Sequence, residues 1–255
     1  MANSNSRRLL VFGDVHIPYH NPVALQLLEK TVHYFRPDIL VCLGDLLDCT
    51  QFSPYPLVWG IPETTYVSNV EFANKFLDQL QRVCPKLVLI EGNHEYRLAR
   101  WAANSVQGRG SYSLLAPQYC LTRNRKCKYI LYGSANGKYP YYSINSRTVA
   151  VHGWSYAKNA TKTHLTLSQG KDIIFGHTHR LETAIIQNIW NPSKIIEARN
   201  AGCLCKLVPL YGTGRPVEWV NGFVVGYLGR RSDTFYTVPI FDNRCILPDG
   251  REIGV

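Results

Sequence analysis

Apolar residues in the first half of the chain come in short unbroken runs separated by longer amphipathic stretches. The segments 7–12 (RRLLVF), 38–45 (DILVCLGD) and 86–93 (KLVLIEGN) each hold a run of apolar residues with a glycine at or one residue past its end. An unbroken run has no polar face to give to water, so it predicts a strand covered on both sides. Between the runs, segment 21–35 spaces Leu25, Leu28, Val32 and Phe35 at helical intervals, with Asn21 placed to cap and Pro22 at the first helical position. Segment 68–83 predicts a second helix, capped by Ser68 with Glu71 three residues on, the spacing of a capping box. Segment 94–104 (HEYRLARWAAN) predicts a third.

The second half reads differently. Segments 148–154, 172–177, 183–190, 194–202 and 217–228 are rich in β-branched and aromatic residues with turn residues between them, and predict strands. Residues 105–147 carry Gly, Ser, Tyr and basic side chains without a usable period, and are expected to be a basic insertion. No internal repeat or low-complexity linker divides the chain, so 1–255 is expected to be one domain with two packed sheets.

Polar residues gather at the ends of these strands. The first strand runs into Asp14-Val15-His16, the second into Gly44-Asp45 with Asp48 beyond, and the third into Gly92-Asn93-His94-Glu95. Later strands run into His152 and into Gly176-His177-Thr178-His179. In open α/β sheets ligands bind at the carboxyl ends of strands, and glycines at 13, 44, 92 and 176 are expected to let the chain turn there. Each motif alone also reads as a turn or a helix cap. Taken together, Asp14, His16, Asp45, Asn93, His152, His177 and His179 offer seven oxygen and nitrogen donors and no thiolate, more than one ion requires. That mixture suits Mn, Fe, Zn or Co rather than calcium or an iron–sulfur cluster. A carboxylate can bridge two ions about 3.5–4 Å apart, the separation typical of two-metal phosphatases and nucleases.

Charge narrows the partner. The chain carries a formal net charge of +10. Between Glu95 and Asp172 there is no acidic residue, while the same stretch holds twelve Lys or Arg. An anionic partner follows. The apolar run near the start, Leu9 to Phe12, is short of the roughly 7–15 residues of a secretory leader, and no apolar stretch approaches the ~18 residues of a membrane span. The eight cysteines lack the spacing of a zinc ribbon or a disulfide framework, with Cys203 and Cys205 as the one close pair. Reduced thiols in a cytoplasm are expected.

The order of GDVH, GDLLD, GNHE, VHG and GHTH, followed by NAGC (200–203), resembles the calcineurin-like metallophosphoesterase superfamily from about residue 8 to 203. HIPYH and the tail after residue 200 look more loosely like bacteriophage-encoded members, for which the cytoplasm is the host's. The resemblance implies a four-layer α-β-β-α sandwich, two packed β-sheets flanked by helices. It implies that Asp14, His16 and His179 hold one divalent ion, that Asn93, His152 and His177 hold the other, and that Asp45 bridges them. Manganese is the expected metal, with Fe, Zn, Ni and Co as alternatives. His94 is then the acid for the leaving group, and Asp48 orients a histidine or a turn.

The expected chemistry is hydrolysis of a phosphate ester by a hydroxide held between the two ions. Metal binding lowers the pKa of water from about 15.7 to about 7. The expected substrate is a phosphodiester of nucleic acid or nucleotides, because basic and aromatic side chains occur together through 96–171 and suit a single strand of DNA or RNA. Arg97, Arg123, Arg125 and Lys126 are the expected contacts. The alternatives are a phosphomonoesterase for small molecules or nucleotides, and a non-catalytic metal-binding scaffold for a protein partner. Phosphoprotein substrates are disfavoured, since Cys49-Thr50 follows Asp48 where enzymes of that kind carry Arg-Gly.

Overall fold

The structure, a computed structural model, describes residues 6–54, 64–133, 139–189, 191–208 and 216–255. Trp190, the last residue of the strand expected over 183–190, and Lys138 of the acid-free stretch lie outside them.

Four short strands, β1 (Arg7–Phe12), β2 (Ile39–Cys42), β3 (Leu87–Ile90) and β4 (Cys127–Ile130), run parallel in that order. Two antiparallel strands, β10 (Gly222–Leu228) and β11 (Asp233–Pro239), extend this sheet beyond β1. A second sheet has the order β5 (Tyr142–Ser143), β6 (Thr148–Ala150), β7 (Asp172–Phe175), β9 (Asn191–Ala201), β8 (Leu181–Asn188), with β6, β7 and β9 parallel. The helices are α1 (Pro22–Phe35), α2 (Tyr66–Val83), α3 (Tyr96–Asn104), α4 (Val106–Leu115), α5 (Pro117–Thr122) and α6 (Ala160–Leu167). A hairpin of β12 (Arg244–Ile246) and β13 (Glu252–Gly254) packs beside α1.

The unbroken apolar runs explain the layering. In β1, Leu10 and Phe12 join Leu25, Leu28 and Val32 of α1 and Phe76 and Leu77 of α2 in one core. The alternate residues Leu9 and Val11 face the other way, against Ala150, Ile174 and Ala201 of the second sheet. β2 and β3 divide in the same manner. The far face of the second sheet buries Val149, Ile173, Phe175 and Ala198 with Leu165 of α6. Helices, sheet, sheet and helix therefore stack as four layers. Burying one such side chain contributes about 1.5–3 kcal/mol, and a one-residue slip of register would exchange the two cores.

Several local expectations need correction. The cap of α2 is Thr65, whose hydroxyl accepts from the Ser68 N–H, so Ser68 lies inside the first turn. α3 begins at Tyr96 without a side-chain cap. The basic stretch 105–147 contributes α4, α5, β4 and β5, and β4 pairs in register with β3 from Leu87 opposite Cys127. The strand expected from 217 starts at Gly222, and the residues before it line a cleft instead. The short α6 and strands β11, β12 and β13 are additions that the periodicity did not reveal.

Candidate metal centre

The carboxyl ends of β1, β2, β3, β6 and β7 open onto one point, and each delivers donors to it. Asp14, His16, Asp45, His152, His177 and His179 are all buried there. Five of them hold a left-handed backbone: φ is 52° at Asp14 and His16, 48° at Asp45, 73° at His177 and 60° at His179. Such conformations cost non-glycine residues energy and concentrate at functional sites. Thus these candidate donors themselves do much of the turning expected of the glycines. Gly44 does turn, with φ +110°. Gly92 is small for another reason: a Cβ there would run into the Asp45 carboxylate.

Two donor sets face each other across Asp45. In the first, His16 Nε2 lies 3.0 Å from His179 Nε2, and His179 Nε2 lies 3.3 Å from Asp14 Oδ1. In the second, His152 Nε2 lies 2.9 Å from both Asn93 Oδ1 and His177 Nδ1. Asp45 Oδ2 is 3.7 Å from His16 Nε2 and 3.4 Å from His152 Nε2, so one oxygen addresses both sets.

Hydrogen bonds on the far side of two rings fix how those rings are turned. His152 Nδ1 is 3.0 Å from the Leu43 carbonyl, which can only accept, so that nitrogen carries the hydrogen. Its Nε2 is thereby turned toward Asn93 Oδ1 and Asp45 Oδ2. His16 repeats this, with Nδ1 donating to Asp48 Oδ2 at 2.9 Å and Nε2 bare. An N–H given to a carbonyl or carboxylate behind the ring is the usual setting of a metal-binding histidine. Imidazole nitrogens and carboxylate oxygens thus converge from five strand ends, a donor set that suits a divalent cation. The residues fit divalent metal.

Electrostatics agree. Burial opposes charge on His152, but the Asp45 carboxylate outweighs it and lifts the ring to about 9. Burial, with the charge of His152, drives neighbouring His177 down to about 3. The pocket calls for positive charge and does not accept it on every ring.

On the outer side of Asp45 stands a second group. His94 Nδ1 lies 3.1 Å from Asp48 Oδ2, the same oxygen that holds His16. Asp48 therefore orients both a donor of the first set and His94. Burial disfavours the His94 imidazolium, yet Asp45 and Asp48 together hold it above its ordinary value. Arg97 is brought here too, with one terminal nitrogen on the Asp48 carbonyl at 3.0 Å and the other 3.0 Å from His94 Nε2.

Glu95 is a residue that the reading of GNHE as a helix start passed over. Its buried carboxylate accepts from the N–H groups of Asp45, Leu47 and Gly92 at 3.0, 2.8 and 2.9 Å, tying the loop after β2 to the loop after β3. Burial and the charge of Asp45 push its carboxyl up to about 7, against those donors. The signal was the glutamate's place between a histidine and an apolar helix, which a cap explains equally well.

The centre opens into a cleft of about 650 Å³ lined by Asp45, Asn93, His94, His177 and His179 and walled by Tyr156, Lys158, Arg180 and Trp219. Tyr156 lies 3.8 Å from the His177 ring and Trp219 4.2 Å from the His179 ring, measured between centroids. The Arg180 guanidinium is occupied by the carbonyls of Ala157 and Lys158. Lys158 is exposed at the rim.

Arg123, Arg125 and Lys126 are not brought to this cleft. They precede β4, at the amino ends of the parallel strands, while the donors stand at the carboxyl ends. The Arg125 side chain is only 4% exposed and is spent on Asp78 and Asn74 of α2. The expectation that this cluster lies beside the metals fails because the stretch forms an edge strand rather than a loop over the site.

Residues 7–181 match the family model for calcineurin-like phosphoesterases. The chain belongs to that family. No curated protein matches it. Among solved structures it is similar to Vps29 from Entamoeba histolytica complexed with zinc, at 14% identity and a TM-score of 0.49 over 97% of this chain and 98% of that one. It is also similar to Yfce, a phosphoesterase from E. coli, at 13% identity and a TM-score of 0.40 over 97% of both chains. Among the described residues, no helix is long and apolar enough to cross a membrane.

Proposed function

We propose that this family member is an active phosphoesterase that binds two divalent ions, Asp14, His16 and His179 holding one, Asn93, His152 and His177 the other, and Asp45 both. The observation that carries the reading is Asp45 Oδ2, which faces an imidazole nitrogen of each set. Manganese suits this mixed imidazole–carboxylate set, as do iron, zinc, nickel and cobalt. When bound, such ions neutralise a phosphate ester and activate water as its nucleophile.

The chain's own residues supply the rest. His94 stands beside Asp45 on the open side, where the oxygen of a departing alcohol would lie. Its Nδ1–H is fixed by Asp48, and Nε2, which accepts from Arg97 in the structure, can carry and deliver a proton to the leaving group once Arg97 turns away. Asp48 remains with His94 even when metal charge offsets Asp45. Arg97, already at His94 Nε2, can turn its N–H groups to a phosphate oxygen. Tyr156 and Trp219 give the cleft two aromatic walls, and Lys158 adds a cation at its rim.

These walls favour a phosphodiester of nucleotide size over a long strand, because the cluster at Arg123 and Lys126 lies at the other end of the sheet. The free thiols of all eight cysteines suit a reducing cytoplasm. The deciding experiment compares aryl monoester, aryl diester, cyclic nucleotide, dinucleotide and oligonucleotide with the manganese-loaded protein. Turnover highest on the nucleotide diesters supports the reading, and metal binding without hydrolysis of any of them returns the chain to a scaffold role.

A further inference from the structure

His179 turns Nε2 to Asp14 and His16, and its other nitrogen points at a second, different set of atoms. Cys205 Sγ lies 3.8 Å from His179 Nδ1. Cys203 Sγ joins them, and the three atoms all lie within 4.8 Å of one another in buried surroundings. Among the described residues, this is the one group of metal-competent side chains that contains sulfur. We infer that His179 Nδ1, Cys203 and Cys205 form a separate site for a thiophilic cation such as Zn²⁺, Cd²⁺ or Cu⁺, back to back with the candidate metal centre.

The dimensions suit such an ion. With metal–sulfur and metal–nitrogen bonds of about 2.3 and 2.05 Å, tetrahedral to trigonal angles give a sulfur–nitrogen edge of roughly 3.6–3.8 Å. The edge seen is 3.8 Å. Two thiolates on one ion span about 4.0 Å in a trigonal site, on the same bond length, and all three atoms here lie within 4.8 Å of one another.

The backbone that carries the thiols is fastened on all sides. Cys203 N–H donates to Val220 O at 3.0 Å, and Leu204 N–H to Asp14 O at 3.0 Å. The Asn221 amide donates to the carbonyls of both Cys203 and Cys205. The ligands are therefore held near their final positions before an ion arrives, which lowers the cost of binding. Binding expels the two thiol protons and the Nδ1 proton, and the ring then stands between two cation sites. Soft ions choose thiolate, whereas the oxygen-rich pocket on the Nε2 side suits Mn²⁺. This site stands on the thiols and does not depend on the hydrolytic reading.

The test titrates the manganese-loaded full chain with Cd²⁺ and follows thiolate-to-cadmium charge transfer in the ultraviolet. One equivalent of Cd²⁺ should saturate the band, and the cadmium NMR resonance should fall in the thiolate-rich range. The band should be lost in Cys203→Ser/Cys205→Ser, which keeps a hydrogen-bond partner for His179 but removes the sulfur. It should survive in Cys120→Ser/Cys127→Ser, which changes the two least buried thiols. A band retained in Cys203→Ser/Cys205→Ser overturns the assignment. If that variant does not fold, a wild-type cadmium resonance typical of oxygen and nitrogen ligands alone overturns it equally.

Discussion

At the carboxyl ends of β1, β2 and β3, buried imidazole nitrogens and carboxylate oxygens face one another. At the amino ends of the same sheet, Arg125 is also buried, yet its terminal nitrogens are bonded to Asn74, Leu121, and Asp78 of the neighbouring helix. Both regions place charge out of water, and both looked like binding residues in the sequence. They differ in satisfaction. A buried cation whose donors are all but one taken by its own fold is a structural rivet, whereas clustered imidazoles and carboxylates turned toward one another form a donor set for a cation.

Asp45→Asn should have the largest effect. It removes the charge that both donor sets share, so at least one metal equivalent should be lost and turnover should fall by roughly a thousandfold, on the order of 4 kcal/mol in the barrier. Metal analysis and hydrolysis of an aryl diester check it; full metal content with near-normal turnover would remove Asp45 from its bridging place. His94→Asn should keep the metals and slow alkyl esters by about 10²–10⁴-fold. Nitrophenyl esters, whose leaving group needs no proton, should lose much less, and equal losses on both would end the acid role.

Metal itself should act at one end only. Mn²⁺ at about a hundred times its dissociation constant should stabilise the fold by ~2.7 kcal/mol, seen as a rise in melting temperature that a chelator reverses and that shrinks in Asp45→Asn. At the other end, Arg125→Met should cost about 1–3 kcal/mol in urea unfolding, from its lost charged hydrogen bonds. The Asp78 partner is 57% exposed and adds little. Turnover should not change. Smallest of all, neutralising exposed Arg123 and Lys126 should alter stability by no more than ~0.5 kcal/mol and leave the salt dependence of oligonucleotide hydrolysis as it was. A salt slope made shallower by those two changes would restore the strand-binding reading.

Local pattern in the sequence was enough for β1, β2 and β3, because an unbroken apolar run of four or more residues has few other uses. It determined the donor inventory as well: Asp14, His16, Asp45, Asn93, His152, His177 and His179 stand where each run stops, and histidine and aspartate at strand ends are costly to place without a purpose. Tertiary structure alone decided what lies beside what. Glu95 reads as a cap until three N–H groups from two loops are seen to converge on it. Trp219 reads as strand until residues 216–219 are seen along the cleft. Arg125 reads as a ligand for phosphate until α2 is seen to hold it. Cys203 and Cys205 read as ordinary core thiols until His179, 24 residues or more away in the chain, turns its second nitrogen toward them. Periodicity and motif order are local, and they carry the strands and their ends. Which face a residue shares, and whether its hydrogen bonds are already taken, depends on segments far apart in the chain.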